Sequence, residues 1–408
     1  MLDAVVIGGG AAGIAAARTL DAAGLSVAIV EARDRLGGRA HTILLDGAQV
    51  DEGAHWMHMA EVNPLVGLAR RAGFTSRRAP EDRPLYDNGR LTTGARRRAM
   101  DRGWPKLDQA VARVARSGVD ETLAASLPAL GEWTETFAFG LGLYSGADIR
   151  ELSAIDYART ADGTNRFLKD GYGALLARLA RPLTVHLGRP ATRLRSGEDR
   201  VVVETAAGDV EARWAIVTAP TGVLKGGAIR FDPELPADLV DAVAGFSPAA
   251  YEHAILRWPE SPFHRNGADQ LTLFRGDQAT AAAMLACIGG GDLHYFELGG
   301  PHAKIWRNGD EAWKRAHVRE VLSLHFGKES DAAEILHVTG WWSDPWSRGS
   351  WSVCAPGRYV ARDALRHYSG GRLRFASEAT SPDQWGTVGG AWREGARAAR
   401  KIIAALRS

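Results

Sequence analysis

The stretch MLDAVVIGGGAAGIAAARTLDAAGLSVAIVEARDRLGGRAHT, Met1 to Thr42, decides the reading of the fold. Ala4-Val5-Val6-Ile7 is short, apolar and β-branched, the composition of a strand buried on both faces. Gly8-x-Gly10-x-x-Gly13 follows, and the apolar residues from Ile14 to Leu20 continue at helical period. Leu25 to Val30 predicts a second strand, which ends at Glu31. Strand, glycine loop, helix and a second strand closing on an acidic residue make a βαβ dinucleotide unit. Gly8 permits the turn, Gly10 lets backbone approach a pyrophosphate, and Gly13 lets the helix lie against the strand. The helix N-terminus offers the phosphates its free N–H groups and the positive end of its dipole. Glu31 is placed for a ribose hydroxyl and repels a 2′-phosphate, which disfavours NADP.

The 408 residues are too many for one ordinary domain and fit two. With 45% apolar and 24% charged residues, the composition is that of a globular chain, not a disordered or fibrous one. A formal charge of +2 leaves no basic stripe for nucleic acid. Cys287 and Cys354 have no CxxC spacing and read as buried bystander thiols. The run Ala4–Ile7 has neither basic leader nor cleavage site, and the helix behind it is short and broken by Arg18 and Asp21. A soluble cytoplasmic protein with no membrane or nucleic-acid partner is expected. Its oligomeric state stays open.

Downstream, EARDRLGGRAHT carries Arg33, Arg35, Gly37, Gly38 and Arg39. A second glycine pair allows another close approach to the same pyrophosphate, and the arginine can pair with its charge. DEGAHWMH, Asp51 to His58, then leads small residues into an aromatic. These runs resemble the flavin amine oxidase family, which includes monoamine oxidases, polyamine oxidases and histone lysine demethylases. That family carries GxGxxG, then E-A-R-x-R-x-G-G-R, then G-A-x-W beside the flavin ring. The resemblance implies FAD as cofactor. It places Gly8, Gly10, Gly13, Glu31, Arg33, Gly37, Gly38 and Arg39 around the dinucleotide, and Gly53, Ala54, His55 and Trp56 by the flavin. Family members with cysteinyl flavin place the cysteine where this chain has Ser350, so the FAD is expected to be non-covalent.

Further matches run along the chain. TNRFLKDGYGALLARLA resembles the family's G-G-Y/M-x-x-L helix, and VHLGRPATRLRS its next strands, with the Ala191 backbone where adenine is met. DVEARWAIVTAPTGVLKGGAIRFDPELP is similar to the return strand and P-x-G-V-L stretch. LRFASEATSPDQWGTVGGAWREGARAA resembles F-A-G-E-x-T, G-T-V-x-G-A and a helix. The last match puts Glu378 by the ribityl and pyrophosphate region, and a helix N-terminus at Thr387-Val388 against the flavin's pyrimidine oxygen. Ser377 replaces the usual glycine.

The implied fold is α/β, amine-oxidase-like, with a discontinuous Rossmann-type FAD-binding domain and an α+β substrate-binding domain. The expected partition is 1–78, 180–232 and 366–408 for FAD, against 79–179 and 233–365 for substrate. Residues 90–160 match loosely and 265–340 little. Helical segments are expected at Pro105–Arg116 and Asp120–Ala138, and RRAPEDRPLYDNGR reads as a turn-rich boundary.

On the substrate side, GWWSDPWSRGSWS, Gly340 to Ser352, resembles W-x-S-x-P-Y-x-x-G-S-Y-S. Its last aromatic lines the flavin in amine oxidases, which makes Trp351 the candidate cage wall for an amine, against a packed core tryptophan as the alternative. The second cage aromatic of monoamine oxidases falls at Thr387, so one side is missing and a longer or bulkier amine is favoured. His58 stands where several polyamine oxidases have a histidine near substrate; a surface or satisfied core histidine is the other reading. His55 and His58 have no third ligand at metal spacing.

The lysine that family members water-bridge to flavin N5 falls at His253, or at Glu252 after a one-residue slip. The expected reaction is oxidation of an amine, polyamine or another bulky or secondary amine. Hydride passes to flavin N5, the imine is hydrolysed, and electrons go to O2 to give H2O2. Reoxidation is expected to be slow without the lysine, and faster below pH 6.5 if His253 substitutes. Alternatives are a dehydrogenase or desaturase of the same fold with another electron acceptor, or a non-catalytic binding relative.

Overall fold

The computed structural model describes residues 1–407. Its first elements are β1 (Leu2–Ile7), α1 (Ala11–Asp21) and β2 (Val27–Val30). β1 lies between β2 and the strand Val210–Val217, parallel to both, with Ile7 level with Val30 and Val217. Thr184–His186 extends the sheet beyond β2. The far edge of Val210–Val217 is shared. Val201–Thr205 pairs antiparallel along its first part, and Leu373–Phe375 pairs parallel along its second. Ala191–Ser196 and Arg230–Asp232 complete eight strands. Segments from three distant parts of the chain therefore end together at the carboxyl edge above β1, where such sheets bind ligands.

Small residues let the layers close. α1 buries five alanines and Gly13, where an added Cβ would lie 1.9 Å from the Gly8 carbonyl oxygen. The C-terminal helix Val388–Arg407 packs across α1, and a Cβ on its Gly395 would lie 1.9 Å from the Ala12 oxygen. The helix Tyr172–Ala180 puts Leu175, Leu176 and Leu179 into this same core. Packing thus joins that helix to the dinucleotide half, although the expected partition assigned 79–179 to the substrate half.

The second sheet has seven strands, in the order Glu334–Val338, Tyr251–Arg257, Leu293–Gly299, Ala282–Ala286, Gln270–Arg275, Leu85–Asp87 and Arg90–Leu91. It is antiparallel except where Gln270–Arg275 meets Leu85–Asp87. Strand alternation divides its faces. Ala254, Leu256, Phe274 and Phe296 pack toward the helix Glu311–Phe326, while Ile255, Leu273 and Tyr295 face the opposite core.

Two expectations are revised here. The run expected as a helix from Asp120 to Ala138 is broken into Leu123–Ser126, a turn at Gly131–Trp133, and Thr134–Ser145. Pro128 forces Leu127 to extended backbone, with ψ 145°, and Gly131 takes φ +58°. The boundary stretch from Arg77 to Arg90 also contains a strand of the second sheet, Leu85–Asp87.

The halves are stitched by Arg362, which is 2% exposed. It holds Asp156 through two bonds of 2.7 Å and donates to the carbonyls of Ser352 and Ala379, each at 3.0 Å. Among the described residues no helix is long and apolar enough to cross a membrane.

Candidate active site

A continuous cavity runs from the carboxyl edge of the first sheet to an aromatic wall that includes Tyr251 of the second. At its inner end are Gly8, Gly10 and the first residues of α1. Gly8 takes φ +106°. Gly10 is the N-cap of α1 and carries no side-chain cap; the nearest atom to a Cβ there would be 3.8 Å away. The helix therefore opens its first N–H groups onto space of the kind that takes a phosphate. Gly13 lies beneath, out of the lining, where it sets the α1–β1 contact. Gly37 and Gly38, at φ +95° and +60°, close the loop from the other side, and the Gly37 N–H donates to the Gly9 oxygen at 2.9 Å.

The charged groups at this end are already oriented. One Glu31 oxygen accepts from Gly9 N–H at 2.5 Å and the other from Arg33 N–H at 2.8 Å, which aims the buried carboxylate at the cavity. Arg39 donates to Glu378 at 3.0 Å and to the Ser350 carbonyl at 2.9 Å. Glu378 also accepts from Ser352 Oγ at 2.9 Å and Gly386 N–H at 3.1 Å. Arg33 lines the cavity, but its guanidinium is taken by Asp344 at 2.6 and 2.7 Å and by Ser347. It ties the tryptophan-rich loop to the glycine loop, a task its place beside the fingerprint did not suggest.

Ala191, Gly53, Ala54, His55, Trp56, Thr387 and Val388 all line the cavity. A Cβ on Gly53 would lie 2.0 Å from the Arg39 oxygen, so that stretch passes tight under the loop. Thr387 caps the C-terminal helix: its Oγ1 accepts from Gly390 N–H at 2.9 Å and donates to the Gln384 carbonyl at 2.8 Å. The residues thus fit a dinucleotide flavin. Glu31 would take ribose hydroxyls, the two glycine loops and Arg39 the pyrophosphate, Glu378 the ribityl side, and the helix at Thr387-Val388 the pyrimidine edge.

Farther out the wall becomes aromatic, with Trp56, Tyr144, Tyr251, Trp341, Trp346, Trp351 and Trp385 in the lining. Trp351 is anchored by its Nε1–H to the Ser145 carbonyl at 2.7 Å. Tyr251 stands 5.4 Å from it, tilted by 41°. The second aromatic beside Trp351 is therefore supplied by Tyr251, a residue the cage motif gave no reason to select.

Strand alternation decides between Glu252 and His253. His253 faces the cavity, whereas Glu252 turns away to accept from Thr339 Oγ1 at 2.5 Å and the Trp341 and Trp342 N–H groups at 3.1 and 2.9 Å. Both ring nitrogens of His253 are buried outside good hydrogen-bond geometry, with the Asp51 backbone near enough to favour the charged form. Burial first, then the nearby His55 and His337, push its pKa well below the usual value. His253 is hence neutral at pH 6.5, and the expected acid-side gain in reoxidation does not follow from it.

His55 meets buried Glu297 through Nε2 at 2.9 Å and the Gly53 carbonyl through Nδ1 at 3.0 Å. Burial opposes its charge, but Glu297 overrides that and raises its pKa. His58 pairs through Nδ1 with Asn165 at 3.0 Å and stacks beside Trp56, its ring centroid 6.0 Å away. Burial holds its pKa down to about 4 against that bond. No group of three His, Cys, Asp or Glu suited to a metal occurs among the described residues. Both cysteines are buried away from the lining.

The two-sheet fold and the cavity between its halves are those of a flavin-dependent oxidoreductase. The family model for flavin containing amine oxidoreductases matches residues 11–125 and 111–403, and the chain belongs to that family. FAD is the cofactor that this membership assigns. Lysine-specific histone demethylase 1 homolog 1 of Arabidopsis thaliana is 27% identical over 99% of this chain, which spans only 52% of that protein. Polyamine oxidase 4 of Oryza sativa subsp. japonica is 28% identical over 97% of this chain and 87% of its own length. Among solved structures, putrescine oxidase bound to putrescine aligns at TM-score 0.84 and 21% identity over 99% of both chains. Cyclohexylamine oxidase from Brevibacterium oxydans aligns at 0.83 and 22% identity over 100% of both. These likenesses show the shared fold.

Proposed function

We propose that the protein oxidises an amine whose reacting carbon is held against the flavin between Trp351, Tyr251 and His253. The observation that carries this reading is the continuity of the cavity from the α1 N-terminus to that aromatic end. Bound FAD supplies the two-electron sink that takes hydride from the amine-bearing carbon, leaving an iminium for water to hydrolyse. The chain's residues do the remaining work. Trp351 and Tyr251 offer apolar contact and ring faces to the amine. His253, neutral and unpartnered, is free to hydrogen-bond the neutral amine or a water. The helix at Thr387-Val388 sets partial positive charge beside the pyrimidine edge, where reduced flavin is negative. The Ser350 position and the buried cysteines support FAD held without a covalent bond.

Anaerobic mixing of the yellow holoenzyme with a panel of amines should bleach the flavin absorbance. Peroxide formed on adding oxygen then reports the oxidase step. A flavin that no amine reduces would end this reading. A second reading, electron transfer to an acceptor other than oxygen, is favoured by the neutral His253 where a fixed ammonium would assist oxygen. Fast reduction with little peroxide would support it.

A further inference from the structure

The lining of the cavity holds one cation that nothing balances. Glu31 and Glu378 accept from backbone N–H groups, Arg39 pairs with Glu378, Arg33 with Asp344, and Glu297 with His55. Arg83 also lines the cavity, from the segment that crosses between the halves. Its guanidinium lies 5.9 Å from the Trp104 ring centroid, and it has no ion pair or hydrogen bond. Thr160 lines the same cavity with its Oγ1 buried and unpartnered. His58 adds no charge, since burial, His55 and Arg83 itself keep it neutral. Asp108 and Asp162, whose charges reach Tyr157, are exposed and outside the lining.

A run of neighbouring rings leads from the reacting end toward Arg83. The rings of His253, His55, Trp56 and His58 follow one another at 5.6, 6.0 and 6.0 Å, and the field of Arg83 is felt at His58. Apolar side chains, among them Leu143 and Leu271, line the cavity as well. An unbalanced guanidinium in a partly desolvated wall repels a second ammonium and draws a planar oxyanion.

Resting on the amine-oxidation reading above, we propose that Arg83 and the Thr160 hydroxyl seat a carboxylate at the far end of the substrate. The substrate is then an amine joined to a carboxylate by an extended apolar chain, not a polyamine.

The test compares hexylamine, hexane diamine, ω-aminohexanoate and ω-aminooctanoate as anaerobic reductants of the holoenzyme. Binding is followed in parallel by perturbation of the flavin spectrum. An aminoalkanoate should bind roughly tenfold to a hundredfold more tightly than hexylamine, with the diamine weakest. Arg83→Met should erase that gap while the flavin spectrum stays native, and Arg83→Glu should reverse the order in favour of the diamine. A wild-type preference for the diamine would overturn the assignment, as would an unchanged order in a flavin-loaded Arg83→Met. Reduction by amines with no dependence on Arg83 would sink this inference alone. No reduction by any amine would sink the amine-oxidation reading and this inference together.

Discussion

The two ends of the cavity are finished to different degrees. At the dinucleotide end each charged side chain is already held: Glu31 by two N–H groups, Glu378 by Arg39, Ser352 and Gly386. At the substrate end polar atoms are left open, namely both nitrogens of His253, the Thr160 hydroxyl and the Arg83 guanidinium. A buried polar atom without a partner is costly, and those that face the cavity are placed for a ligand to complete. One end is preorganised for an invariant guest; the other is written for a particular one.

The strongest challenge to this division is a change that should disturb both ends. Arg362→Leu strands Asp156 and frees the Ser352 and Ala379 carbonyls, costing about 3–5 kcal/mol. Denaturant unfolding of the holoenzyme should show it, and a second change, Asp156→Leu, should restore part of the loss. Glu31→Gln acts on the finished end alone. Losing the charge-assisted bonds should weaken FAD retention by about 1.5–3 kcal/mol, read by equilibrium dialysis, with the rank order of amines intact. A changed rank order would mean that the ends are not separable.

Trp351→Ala tests the open end. Substrate capture should fall by about 0.5–2 kcal/mol in kcat/KM while flavin content is retained. Smaller still is the pH effect assigned to His253. With its pKa held well below 6.5, it stays neutral as pH falls from about 8 to 6. Stopped-flow reoxidation should show no pH dependence over that window that His253→Ala removes. A rise centred near 6.5 that vanishes in His253→Ala would show the imidazole to be less desolvated than its surroundings imply. Acid precipitation should leave no flavin on the polypeptide, because Cys287 and Cys354 lie outside the lining.

Legibility in the sequence followed the same divide. Gly8, Gly10, Gly13 and Glu31 are local, because backbone geometry at each position dictates its residue; the α/β fold class beyond that βαβ unit came from the family resemblance. Glu378 could be found because its neighbours repeat a family pattern. Arg83 could not, since it sits in a stretch that reads only as a turn-rich boundary. The Glu297–His55 contact joins residues 242 apart, and no spacing announces it. His253 was reachable through the family's lysine position, yet its protonation was not, because desolvation belongs to the tertiary surroundings.

The strand Leu373–Phe375, slotted in parallel beside Val210–Val217, has a consequence for biosynthesis. When the ribosome has made β1, α1 and β2, neither that strand nor Glu378 nor the helix covering α1 yet exists. Domains generally fold as units during synthesis, but this one must wait until Leu373–Phe375 and the helix Val388–Arg407 have emerged. A chain that terminates before Leu373 lacks the helix that packs across α1 and is expected to hold no flavin. Yellow colour is therefore expected only of polypeptides translated past Glu378 and the helix Val388–Arg407.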